Sequence, residues 1–166
     1  MKITGRVWKF GHDINTDLIF PHDSIRLKPA EQAKLIFRDN RPGWSELVQK
    51  GDIIVSGKNF GTGSARPGAV LLKTLGLGGM LSDSINGVFF RNCVSYGFPA
   101  LQYEGVSDLF EEGDVAEFEL TTGLIRNLTT GKELQGTPLP GSMVETVEAG
   151  GVIDVLISKG LVEPLE

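Results

Sequence analysis

The feature that most constrains this fold is an alternation of short apolar runs with amphipathic runs that stop at glycine. Asp52-Ile53-Ile54-Val55-Ser56 reads as a buried strand, and a helix is expected from Pro67 to about Leu75, closed by Gly76. The pattern recurs as a strand over 79–82, a helix over 86–96 closed by Gly97, and a strand over 99–103. Strands alternating with short helices imply a parallel sheet with right-handed crossovers.

The flanks read differently. Ile3 to Phe10 is an earlier strand, followed by a polar stretch over 11–28 that reads as a long loop, a kind of segment usually tied to function. Pro29 suits the first position of a helix whose apolar stripe, Ala33, Leu35, Ile36 and Phe37, runs to about Arg38. Between Asp114 and Leu120, Ala116, Phe118 and Leu120 alternate with Glu117 and Glu119, a half-exposed strand. Thr121-Thr122-Gly123 turns it back into 124–128 as an antiparallel hairpin. Two short helices hinged at Gly150-Gly151 close the chain. The expected architecture is an α/β domain over 1–166, with a mostly parallel sheet, short crossover helices and an antiparallel hairpin.

Charge and cysteine content narrow the function. The net charge is -5, which disfavours nucleic acid and membrane surfaces as partners because both attract a positive field. No apolar run approaches the roughly 18 residues of a membrane span. The first ten residues lack an apolar signal core, so a cytoplasmic protein is expected. The chain has 1 cysteine, Cys93, which excludes an internal disulfide and a cysteine-rich zinc or iron–sulfur site of its own. His12 and His22 match no helical metal pair. No metal site is expected within this chain.

Glycine is unusually frequent, 22 of 166 residues, and its sharpest cluster is Gly61-Thr62-Gly63-Ser64-Ala65-Arg66-Pro67-Gly68 between a strand and a helix. A loop placed there points free backbone N–H groups and the positive end of a helix at one spot. Its glycines let backbone approach a ligand, and Arg66 adds a planar fork suited to carboxylate or phosphate. The loop should bind an anion. It is neither a P-loop, since Ala69-Val70 stand where Lys-Ser/Thr belongs, nor a dinucleotide fingerprint, since Arg66 stands where its last glycine belongs. Without a ligand, Ser64 would be a capping residue in a tight turn.

Three segments carry a family resemblance: Phe10-Gly11-His12-Asp13-Ile14-Asn15-Thr16-Asp17, Gly57 to Arg66, and Phe89-Phe90-Arg91-Asn92 with Gly97. The stretch from Thr122 to Thr129 and on through Glu148-Ala149-Gly150-Gly151 extends it over nearly the whole chain. The chain resembles the small subunits of 3-isopropylmalate dehydratase, the swivelling domain of the aconitase superfamily. The resemblance implies a two-chain hydro-lyase that moves a hydroxyl between adjacent carbons by dehydration and rehydration. It implies a four-iron four-sulfur cluster bound by a large-subunit partner and not by this chain. It implies Ser64 and Asp17 as catalytic residues, with Ser64 removing the carbon-bound proton. An alkoxide there would be stabilised by converging N–H donors. Arg66, Thr16, Gly63, Ala65 and Arg26 are implied as substrate-binding residues, on a face formed by 11–28 and 57–66 that docks the partner. The substrate would be a small di-acid, 2-isopropylmalate in leucine synthesis, with homoaconitate, citramalate and dimethylmalate dehydratases as relatives.

The pattern departs from the family at Ala65, which replaces a second serine, and at Pro67-Gly68, which replace a Glu pair. The substrate-selecting loop also differs, reading Ser24-Ile25-Arg26-Leu27-Lys28. Apart from the resemblance, Asp17 reads as a turn carboxylate, Arg91 and Asn92 as solvated helix residues, and Cys93 as an inert core thiol. His12 and His22 then read as surface loop residues, Trp8 and Trp44 as core or interface. A stand-alone anion-binding module is the alternative of a different class; it would titrate ligand alone, whereas a catalytic subunit needs its partner.

Overall fold

The computed structural model describes residues 1–64 and 66–164. In chain order the elements are β1 (Lys2–Lys9), α1 (Thr16–Ile19), α2 (Pro29–Ala33), α3 (Trp44–Leu47), β2 (Ile53–Ser56), α4 (Gly68–Leu75) and β3 (Gly79–Ser82). There follow α5 (Gly87–Ser95), β4 (Ala100–Gln102), β5 (Val115–Glu119), β6 (Leu124–Asn127), β7 (Glu133–Gln135), α6 (Gly141–Ala149) and α7 (Val152–Ser158).

The strands form one sheet in the order β4-β3-β2-β1-β5-β6-β7. β1 is shared between its two halves. Val7 to Lys9 pair in parallel with Ile53 to Val55, whereas Lys2 to Arg6 pair antiparallel with 115–119. Gly5 sits where the pairing changes over, and a Cβ there would lie 2.0 Å from the Gly51 carbonyl oxygen, so only glycine admits this approach. The parallel half, β1 to β4, has the expected topology. The antiparallel half exceeds the expected hairpin by β7, whose single apolar residue, Leu134, gives too little alternation to be recognised.

Every residue of β2 and β3 is buried, as strands covered on both faces must be. Successive side chains therefore feed two separate cores. Trp8, Ile54 and Met80 face a cluster with Ile19, Leu71, Phe89 and Cys93, while Val7, Ile53, Val55 and Leu81 face one with Phe110, Phe118, Val144 and Val147. Full burial of a side chain such as Phe118 contributes about 2–3 kcal/mol. Burial also pushes the Cys93 thiol pKa far up, so it is inert as expected. Trp8 and Trp44 are core residues, their rings 6.0 Å apart and edge to face.

The expected helix from Pro29 to Arg38 ends instead at Ala33. Phe37 adopts φ 57°, and its N–H donates to the Ile19 carbonyl at 3.2 Å. That conformation swings its ring to 4.4 Å from Phe10 and 5.0 Å from Trp44. The aromatic cluster outweighs the weak propensity of one more helical turn. The stretch over 11–28 is not a plain loop either. It contains α1, capped by the Asn15 side chain accepting from Leu18 N–H at 3.0 Å, and a tight helical turn over His22–Arg26. Pro67 stands one position before α4, not inside it, and Gly76 closes that helix at φ 100°.

Candidate functional site

The loops that leave the carboxyl ends of β1, β2 and β3 meet at one place, the position where open parallel sheets bind ligands. They are joined by an irregular ladder that continues the parallel pairing beyond the strands. Gly57 N–H donates to Gly11 O at 3.1 Å, Asp13 N–H to Lys58 O at 2.8 Å, Gly61 N–H to Ile14 O at 2.7 Å, and Thr16 N–H to Thr62 O at 2.8 Å. Asp13 and Asn59 both take left-handed conformations, and Asn59 Nδ2 donates to Asp13 Oδ1 at 2.8 Å. On the other flank, Phe60 N–H donates to Ser84 O, and Asn86 N–H to Phe60 O. This ladder sets Thr16 beside Gly63 and Asp17 beside Arg66.

His12 belongs to the same ladder. It is exposed, but its Nδ1 accepts from Lys58 N–H at 2.8 Å, and its ring fills the space that a Cβ on Gly57 would need. Gly61 is required in the same way: at φ 80°, a Cβ would lie 2.3 Å from the Phe89 ring. Phe89 in turn stacks edge to face on Phe60, 5.3 Å between centroids, which fixes the floor of the cleft.

Thr16 is 3% exposed, and its Oγ1 has no hydrogen-bond partner among the described residues. A buried hydroxyl left unpaired costs about 1–3 kcal/mol. It points at Gly63, whose φ is 103° and where a Cβ would lie 2.9 Å from that oxygen. Gly63 therefore sets no side chain against this buried hydroxyl. Ser64 and Arg66 line the same cleft, with Val88, Phe89 and Asn92 of α5 opposite. Ser64 is exposed; Ala65, the remaining loop residue implied as substrate-binding, lies outside the described residues.

Arg66 is anchored from one side. Its Nη1 pairs with Asp17 Oδ1 at 2.5 Å and donates to the Phe20 carbonyl at 3.1 Å. Its Nη2 lies 3.4 Å from His22 Nδ1, and the guanidinium carbon sits 6.0 Å from the centre of the Phe20 ring. A guanidinium has five N–H donors, so these contacts leave others for an incoming carboxylate. Asp17 thus supplies the arginine with a carboxylate despite the Pro67-Gly68 departure.

Two expectations change. The converging backbone donors are fewer than the sequence suggests, because Gly61 N–H is committed to Ile14 O and Gly68 N–H to Arg66 O at 2.7 Å. Arg26 is not in the cleft. It ends the His22–Arg26 turn, exposed, in a separate shallow hollow with His22, Asp23 and Ile25. What the residues alone did not mark as site residues are Val88 and Asn92, one turn apart on α5, and the contacts of His22 and the Phe20 carbonyl with Arg66. Only the i, i+4 spacing on α5 offered a signal for the first pair; a main-chain oxygen offers none.

Other concave or charged places lack this convergence. A cavity of about 830 Å³ lies between α4, α5 and α7, where Lys73 is tied to the Tyr96 and Gly150 carbonyls at 2.9 Å each. Among the described residues, no group of three His, Cys, Asp or Glu side chains could hold a metal ion. No helix among the described residues is long and apolar enough to cross a membrane.

Comparison with known proteins points to one group. Residues 23–105 match the Aconitase C-terminal domain family. The chain is 43% identical over 159 residues to a Methanocaldococcus jannaschii protein named isopropylmalate/citramalate isomerase small subunit, with 95% of each chain covered. It is 41% identical over 160 residues to the 3-isopropylmalate dehydratase small subunit 1 of Methanopyrus kandleri, covering 95% of this chain and 94% of that one. A crystal structure of 3-isopropylmalate dehydratase from Methanocaldococcus jannaschii superposes with a TM-score of 0.89 at 30% identity, covering 97% and 96% of the two chains.

Proposed function

This chain belongs to the family of 3-isopropylmalate dehydratase small subunits, and from that membership we propose that it is one half of a two-chain hydro-lyase converting 2-isopropylmalate to 3-isopropylmalate. The observation that carries the proposal is the cleft itself: an arginine anchored by Asp17 and Phe20 O, a buried threonine hydroxyl without a partner among the described residues, and a serine in the same lining.

Each group has a role in that reaction. Arg66 clamps a substrate carboxylate through its unused donors. Thr16 Oγ1, beside Gly63, gains from the bound substrate a hydrogen bond that no described residue gives it. Asp17 holds the arginine and balances its charge. Ser64, as its alkoxide, takes the proton from the carbon next to the hydroxyl-bearing carbon; the C–H electron pair becomes the double bond of an unsaturated di-acid, and the C–O bond breaks as the departing hydroxide takes up a second proton, from solvent or the large subunit, to leave as water. Water then adds in the opposite sense, and Ser64 returns the proton.

The iron–sulfur cluster that the family resemblance implies does not fit this chain, since its one thiol, Cys93, is buried in the core. The proposal assigns the cluster to the large subunit, docked over the face that carries 11–28 and 57–66. The chain alone should then be inactive and bind no iron; a brown, iron-containing preparation of it surviving gel filtration would refute that assignment. Citramalate is a second candidate substrate, favoured by the name of the Methanocaldococcus relative.

The deciding experiment is Ser64→Ala in the enzyme reconstituted with its large subunit, assayed on 2-isopropylmalate and citramalate. The expected outcome is a kcat lowered by about 10²–10⁴-fold with little change in KM, because proton transfer matters in the transition state. A near-native kcat means that another group removes the proton and that this loop only binds an anion.

A further inference from the structure

We propose that His22 is a positioning residue for Arg66, holding the outer arm of the guanidinium so that its unused donors face the cleft. The inference rests on the reading of Arg66 as a carboxylate clamp. Its ground is the geometry of the three contacts. Asp17 and the Phe20 carbonyl both bind Nη1. Two contacts on one nitrogen leave a planar group able to pivot about that nitrogen. His22 Nδ1, 3.4 Å from Nη2, is the contact on the second arm. Arginine can only donate, so the contact is a hydrogen bond in the tautomer whose Nδ1 accepts.

The histidine is mounted to do this. Pro21 is buried, and its carbonyl accepts from both Ser24 N–H at 3.0 Å and Ser24 Oγ at 2.6 Å. Gln32 Nε2 donates to Ser24 O at 3.0 Å, with Ser24 and Gln32 both buried. The next residue, Asp23, is paired with Arg38 at 2.9 Å. An exposed imidazole thus stands on a turn fixed from below. Asp17, Phe20 and His22 lie within six residues, so one short segment grips the arginine from both arms.

The test uses His22→Ala and His22→Asn. Asparagine can place its Oδ1 where Nδ1 stood and accept the same bond. The first measurement is the ¹⁵N–¹H signal of the Arg66 guanidinium in the full chain alone, assigned by its loss in Arg66→Lys. His22→Ala should shift and broaden this signal, and His22→Asn should restore it. In the reconstituted enzyme, His22→Ala should raise KM for 2-isopropylmalate about 3–10-fold with kcat within about 2-fold, and His22→Asn should stay within about 2-fold of wild type in both. An Arg66 signal unchanged in His22→Ala overturns the inference. So does a KM that rises as much in the Arg66→Lys background as in wild type, because the histidine would then act through something else. The spectroscopic arm involves no substrate and decides the role of His22 on its own. A reconstituted wild-type enzyme that turns over none of the candidate di-acids tells against the proposed function instead.

Discussion

Two arginine–aspartate pairs sit in this molecule with opposite burial. At the base of the sheet, Asp52 has a side chain 4% exposed, while its partner Arg6 is 38% exposed. In the cleft the order is reversed: Arg66 is 16% exposed and Asp17 71%. The buried member is the one whose hydrogen bonds decide what the pair is for. Asp52 accepts from Arg6 Nη2 at 2.8 Å, Trp8 Nε1 at 2.7 Å and Gln49 N–H at 2.9 Å, which ties β1 to the turn before β2. Burial by itself would push the Asp52 pKa up, but the bonds from Arg6, Gln49 and Trp8 outweigh it and hold the pKa below the usual carboxylate value. A buried carboxylate whose three bonds on Oδ2 all come from the strand and the turn is structural. Arg66 is sheltered but has donors to spare, which is what the proposed carboxylate clamp requires.

The contrast can be broken by substitution. The largest effect on stability should come from Asp52→Ala, which leaves Trp8 Nε1 buried without a partner. A loss of about 2–3 kcal/mol is expected, seen as a fall of roughly 5–10 °C in Tm, with KM of the reconstituted enzyme unchanged. A raised KM at full folding would mean that the two pairs are not independent.

Arg66→Lys should do the reverse. Lysine keeps the charge but loses the fork, so KM should rise about 10-fold, a difference of about 1.4 kcal/mol, while Tm moves by no more than about 2 °C. Steady-state kinetics and a thermal melt on the same preparation separate these outcomes. Asp17→Asn should give a smaller change of the same kind, about 2–5-fold in KM, since its carboxylate is mostly in water and screened. An effect of Asp17→Asn as large as that of Arg66→Lys would show that the carboxylate itself meets the substrate or reacting proton.

The smallest effect is a pH dependence specific to Asp52. Its folded pKa is depressed, so the stability it contributes is full above the unfolded carboxylate value near 3.8 and is lost as pH falls through the lower folded value. The gap in stability between wild type and Asp52→Ala should therefore be constant from pH 7 to about pH 5 and narrow below about pH 4. Denaturant melts across that range measure it, and a gap independent of pH would mean that the charge on Asp52 is not what stabilises the turn.

Several features were legible because they depend on local chemistry. The parallel strands were marked by β-branched runs such as Ile53-Ile54-Val55, and the ends of α4 and α6 by Gly76 and Gly150, which take the left-handed conformation that side chains resist. The glycine loop that lines the cleft was marked by its glycines and Arg66. Other features were not legible because their cause is distant in sequence. The end of α2 is decided by Phe37 joining Phe10 and Trp44, and β7 by its place beside β6.

The amino-acid order by itself marked the parallel strands, the crossover helices, their apolar faces and the glycine loop between β2 and α4, since each follows from the period of the side chains or the freedom of a glycine. Tertiary structure decided the rest. Only the ladder between 11–16 and 57–62 brings Asp17 to Arg66 across 49 positions of chain. Only that same closure buries the Thr16 hydroxyl without a partner among the described residues. Whether a polar group is satisfied depends on its neighbours in space, and no spacing along the chain contains that information.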